Sequence, residues 1–87
     1  MEMTRAEFME KYRDAKVKFS SYYKYTFTFT GSLPGGDRIV VEVGGDSDDI
    51  YKMEVVPDYE ETVASLEPIG GAVYSTNGTV VDSFYDY

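Results

Sequence analysis

Between Tyr22 and Thr30 the residues Tyr23, Tyr25, Phe27 and Phe29 alternate with Lys24, Thr26, Thr28 and Thr30. A repeat of two sends successive side chains to opposite faces of an extended chain, so this stretch predicts a strand with one aromatic face turned inward. One strand cannot bury such a face alone. It commits the chain to a sheet with another layer packed against it.

The sequence before it supplies that layer. Thr4-Arg5-Ala6-Glu7 fits a capping box, in which the Thr hydroxyl and the Glu carboxylate each accept from the other residue's backbone N–H. Phe8, Tyr12 and Ala15 then recur at helical spacing among charged residues, which predicts an amphipathic helix ending near Lys16.

After the aromatic strand, Ser32-Leu33-Pro34-Gly35-Gly36-Asp37 has turn chemistry, with a fixed proline φ and two glycines able to take positive φ. Arg38 to Val43 reads as a second strand with Ile39, Val41 and Val43 on one face. Ile50 to Val56 reads as a third, stopped by Pro57. Asp58 to Leu66 suggests a short helix, with Asp58 as N-cap and Glu60 and Glu61 near its positive end. Asn77-Gly78 between β-branched segments predicts a two-residue hairpin turn, and Asp82 to Tyr87 an acidic aromatic tail. The expected fold is therefore α+β: an N-terminal helix packed on an antiparallel sheet of about five strands, with a short second helix before a C-terminal hairpin. Residues 1–87 form one domain, since domains run from about 50 to 250 residues.

Charge then narrows function. Residues 1–24 carry six Lys or Arg against four acids, whereas residues 25–87 carry two against twelve. Such a field repels phosphate backbones, so direct binding to nucleic acid or an anionic membrane is not expected, and the fitting partner is a basic protein. Arg13, Lys16, Lys18 and Lys24 are expected near the helix C-terminus, where cations complement the dipole. The charged N-terminus has no secretory apolar stretch, which points to the cytoplasm, of a host cell if the chain is phage-encoded.

The acids concentrate in Gly44 to Glu61, where seven carboxylates face one basic residue, Lys52. Asp46-Ser47-Asp48 begins with oxygen donors at alternate positions, as a calcium loop does, but Ile50, Tyr51 and Pro57 occupy positions that need a side-chain oxygen, a sharp turn and a bidentate acid. With no His and no Cys in the chain, no zinc site is expected, and no cofactor is implied. Catalysis by paired carboxylates needs a pocket that separates their pKa values, for which a domain this small offers little room; no enzyme activity is expected. Gly35-Gly36 and Gly44-Gly45 fit no phosphate-loop pattern, and Asn77-Gly78-Thr79 reads as a turn rather than a glycosylation site.

Tyr23, Tyr25, Phe27 and Phe29 are expected in the core. Tyr51 and Tyr59 flank the acids, and exposed tyrosine beside carboxylate differs from plain solvated charge: aromatics enrich interface cores, while rim acids steer cationic partners. Asp46, Asp48, Asp49, Tyr51, Glu54, Asp58, Tyr59, Glu60 and Glu61 are accordingly the candidate partner-binding residues. They suggest a small inhibitor that occupies a basic, nucleic-acid-binding surface of a target such as a nuclease. In size and composition the chain is similar to phage anti-CRISPR and anti-restriction proteins, although no motif carries that likeness. The alternative is a structural or adaptor subunit that works by self-association, as a homo-oligomer, or by sheet contacts with a partner.

Overall fold

The structure is a computed structural model and describes residues 2–46 and 59–86. The capping box forms: the Glu7 N–H donates to Thr4 Oγ1 at 3.1 Å and the Thr4 N–H to Glu7 Oε1 at 3.0 Å. Helix α1, Arg5–Tyr12, starts there. It ends earlier than expected, with the Ala15 N–H donating to the Tyr12 carbonyl, because Lys16 already opens a strand.

Six strands follow, with a short helix among them: β1 (Lys16–Tyr23), β2 (Thr26–Ser32), β3 (Arg38–Gly44), β4 (Glu60–Thr62), α2 (Val63–Leu66), β5 (Gly70–Tyr74) and β6 (Val80–Tyr85). Their spatial order is β4-β1-β2-β3-β5-β6 and all neighbours are antiparallel. The fold is α+β, with six strands among the described residues where about five were expected for the whole chain. The expected strand at Ile50–Val56 lies outside the described residues.

The stretch predicted as one strand, Tyr22 to Thr30, is instead the end of β1, a two-residue turn and the start of β2. Lys24, at φ 57°, makes the turn. A bulge precedes it: Phe19 pairs with Phe29 and Ser21 with Thr28, so Ser20 is the extra residue, and its hydroxyl donates to the Thr28 carbonyl at 2.9 Å. One inserted residue reverses the facing of everything after it. Tyr22 thereby lies opposite Phe27 on the inner face, whereas Tyr23 and Tyr25, expected in the core, are 75% and 63% exposed. Phe27 and Phe29 are buried as expected.

Pro34-Gly35-Gly36 forms the turn anticipated for it, with the Gly36 N–H donating to the Leu33 carbonyl and Gly35 at φ 93°. The last hairpin has three loop residues rather than two. The Gly78 N–H closes a turn on the Ser75 carbonyl, and Gly78 takes φ 88° before Ser75 and Thr79 pair.

The helix expected over Asp58–Leu66 is confined to Val63–Leu66, with Thr62 at the N-cap position. Glu60 and Glu61 belong to β4, because β1 would otherwise present an unpaired edge. The backbone is held there by the Phe19 N–H on the Tyr59 carbonyl and the Val63 N–H on the Ala15 carbonyl, both 3.0 Å.

The inner face contributes Val17, Phe27, Phe29, Ile39, Val41, Val73 and Phe84 to the core, and α1 covers it with Phe8 and Tyr12. The Phe8 ring centroid lies 4.7 Å from that of Phe84. Burying side chains of this size contributes about 1.5–3 kcal/mol each. Among the described residues no helix is long and apolar enough to cross a membrane.

Candidate protein-contact surface

The β1–β2 turn projects three tyrosines from one end of the sheet. Tyr23 and Tyr25 are exposed, with the Lys24 ammonium 5.4 Å from the Tyr23 ring centroid. Tyr22 is 43% exposed, and its ring is anchored on Phe19 and Phe27, each at a centroid distance of 6.4 Å. The bulge at Ser20 thus leaves one tyrosine partly packed and its neighbour projecting to solvent.

The acid-rich stretch starts beside them. Thr26 pairs with Gly44, the last residue of β3, and the Gly45 N–H donates to the Tyr25 carbonyl at 2.9 Å. Gly45 is pressed against the Phe27 ring, where a Cβ would collide with the aromatic edge. Asp46 follows, exposed. The backbone bond therefore fixes Asp46 next to the tyrosine turn.

The other predicted contact residues do not form one patch with it. Tyr59 packs on Phe29, ring centroids 6.1 Å apart, and its hydroxyl donates to Glu61 Oε1 at 3.4 Å, so both lie toward the inner face. Glu60 pairs with Lys18 and, by strand alternation, faces the outer side among Lys16, Lys18 and Arg38. Asp48, Asp49, Tyr51, Glu54 and Asp58 lie outside the described residues. Among the described residues no three acids converge as metal ligands. The cations expected around the helix end are also dispersed: Lys16 and Lys18 are on β1 and Lys24 is in the turn.

A polar cluster not anticipated from the sequence joins α1 to β6. Asp82, expected in a tail, is 2% exposed in β6, where its Oδ2 accepts from Lys11 Nζ at 2.8 Å and from the Tyr12 hydroxyl. The bond from Lys11, followed by that from Tyr12, holds the Asp82 carboxyl below its usual range. Burial, aided by the bond to Asp82, pushes the Tyr12 hydroxyl up. The signal was present in the alternation of Asp82 with Phe84, which puts both on the buried face. With one cation and one donor already on the carboxylate, the cluster is a helix anchor. No protein-family model, curated protein or solved structure matches this chain.

Proposed function

We propose that this chain is a non-catalytic, acidic protein-binding inhibitor that occupies a basic, nucleic-acid-binding surface of its target, a nuclease or similar enzyme. It would engage that surface through the tyrosine end of its sheet. The observation carrying this reading is the Gly45–Tyr25 backbone bond, which sets Asp46 next to the turn residue Tyr25, at the end of the sheet where β1 also carries Tyr22 and Tyr23. Exposed rings provide the rigid apolar area on which interface cores are built, and they stack with Arg or Lys of a partner. Net charge of −8 supplies attraction over a distance.

The alternative, a self-associating subunit, is favoured by the edge strand β6, where Val80, Val81 and Tyr85 are exposed. Part of that edge is already occupied: Glu2 bridges to Ser83, and the Met3 N–H donates to the Ser83 carbonyl at 2.7 Å. A capture experiment separates the readings. Binding of a basic protein that depends on Tyr23, Tyr25 and Asp46 supports the inhibitor, whereas a self-complex that depends on Val80 and Val81 supports the subunit.

A further inference from the structure

Three of the eight cations of this acidic chain, Lys16, Lys18 and Arg38, line one open depression of about 470 Å³ on the outer face of the sheet. Its volume falls within the range of about 300–1,000 Å³ typical of small-molecule sites. It lies toward the end of the sheet away from the tyrosine turn, and its interpretation is independent of the inhibitor reading.

Alternation and pairing create the cluster. Lys16 and Lys18 are two residues apart on one face of β1, Thr30 sits opposite Lys18 on β2, and Ser32 opposite Arg38 on β3. At about 3.3 Å rise per residue and about 4.8 Å between strands, the three cations have backbones roughly 7–12 Å from one another, each side chain long enough to reach a common small ligand. Gly31 lets β1 and β2 approach closely here, since a Cβ at that position would collide with the Lys16 carbonyl oxygen.

Among the described residues none of the three cations has a carboxylate within ion-pairing distance; the ion pairs there are Arg5–Asp86 and Lys11–Asp82. Arg38 is nonetheless oriented, its guanidinium lying 5.2 Å from the Tyr74 ring centroid. Tyr74 pairs with Arg38 from β5, and a guanidinium carries five N–H donors, so contact with the ring on that side leaves donors for an anion on the β2 side.

We infer that this depression binds a small phosphate-bearing ligand, with Arg38 donating from its fork, Lys16 and Lys18 neutralising charge, and the Thr30 and Ser32 hydroxyls adding donors. Glu60, which also lines the depression, and the acidity of the whole chain select against an extended polyanion. A compact diphosphate fits where a nucleic-acid backbone does not.

The test is a titration of the isotopically labelled chain with inorganic diphosphate at constant ionic strength, following backbone amide resonances. Saturable shifts concentrated at Lys16, Lys18, Thr30 and Arg38 are expected, with binding about tenfold weaker in Arg38→Gln, as for loss of a charge-assisted hydrogen bond. Glu60→Gln should tighten binding several-fold by removing the repelling carboxylate among the described residues that line the site. The inference is overturned by shifts that rise without saturation as they do with chloride, by affinity unchanged in a folded Arg38→Gln chain, or by Glu60→Gln leaving affinity unaltered. Tighter binding of a single-stranded oligonucleotide than of diphosphate would also overturn it, making the face a nucleic-acid surface.

Discussion

Lys11 of α1 and Asp82 of β6, 71 positions apart in the chain, meet with Nζ 2.8 Å from Oδ2, and the buried Tyr12 hydroxyl donates to the same oxygen. The two donors differ in what they contribute. Lys11 is 54% exposed, but the side chain it neutralises is 3% exposed, so Lys11→Met leaves a buried anion with the Tyr12 hydroxyl as its donor and should both lower stability and raise the Asp82 carboxyl toward its ordinary range. Asp82→Ala strands the Tyr12 hydroxyl without its acceptor and should cost about 1–3 kcal/mol in urea unfolding. Unchanged stability in Asp82→Ala would contradict the assignment of Asp82 as the anchor of α1 to β6.

Acid should release the same anchor. The carboxyl of Asp82 is held below its ordinary 3.8 when folded, so its contribution is fully present above that value and is lost as pH falls through the lower folded value. Glu7, lowered first by the Thr4 backbone N–H and then by its hydroxyl, acts in the same direction. Unfolding free energy of the wild type should therefore fall below about pH 4, and that of Asp82→Asn should fall less steeply. Parallel acid limbs for the two chains would show that Asp82 is not stabilised as an anion.

Lys24 occupies the first loop position of the β1–β2 turn at φ 57°, a conformation in which a Cβ is strained. Lys24→Gly should raise stability by about 0.5–1 kcal/mol, the relief of positive φ exceeding the added chain entropy of the unfolded state. Denaturant midpoints measure this directly, and a lowered midpoint would mean that the contact of Lys24 with the Tyr23 ring outweighs the strain.

The same aromatic stretch divides sharply in energetic terms. Tyr23→Ser and Tyr25→Ser, at exposed positions, should each change stability by no more than about 0.5 kcal/mol. Phe27→Ala should cost about 3–5 kcal/mol, since Phe27 is 1% exposed beneath Tyr22. Comparable losses at all three positions would place the tyrosines in the core after all.

These contrasts explain how far the sequence could be read. Features set by neighbouring residues were legible: the Thr4–Glu7 cap, the glycine turn at Gly35, and the burial of Phe27 and Phe29 in one rhythm. The turn at Lys24-Tyr25 was not, because it depends on β1 and β2 pairing with each other, and continuing the rhythm of Phe27 and Phe29 back through it placed Tyr23 and Tyr25 in the core. The three-residue strand β4 carries no local signal and forms because β1 needs a partner along its edge. Of the candidate contact surface, Asp46 was named from the sequence, but its place beside the tyrosine turn was not legible, because it follows from the Gly45–Tyr25 backbone bond between the end of β3 and the β1–β2 turn. The separation of Glu60 from Glu61 followed only from their strand alternation.

Capture from a cell lysate at low and high salt, with the partner identified and its nucleic-acid binding assayed in the presence of the chain, decides whether the tyrosine end binds a basic target. Wild type and Glu60→Lys should capture the same basic, nucleic-acid-binding protein, block its nucleic acid, and lose it as salt shortens the screening length from about 10 Å toward about 3 Å. The combined variant Tyr23→Ser, Tyr25→Ser, Asp46→Lys should remain folded and capture none. Equal capture by the combined variant, or recovery of nothing except the chain itself, would contradict the account.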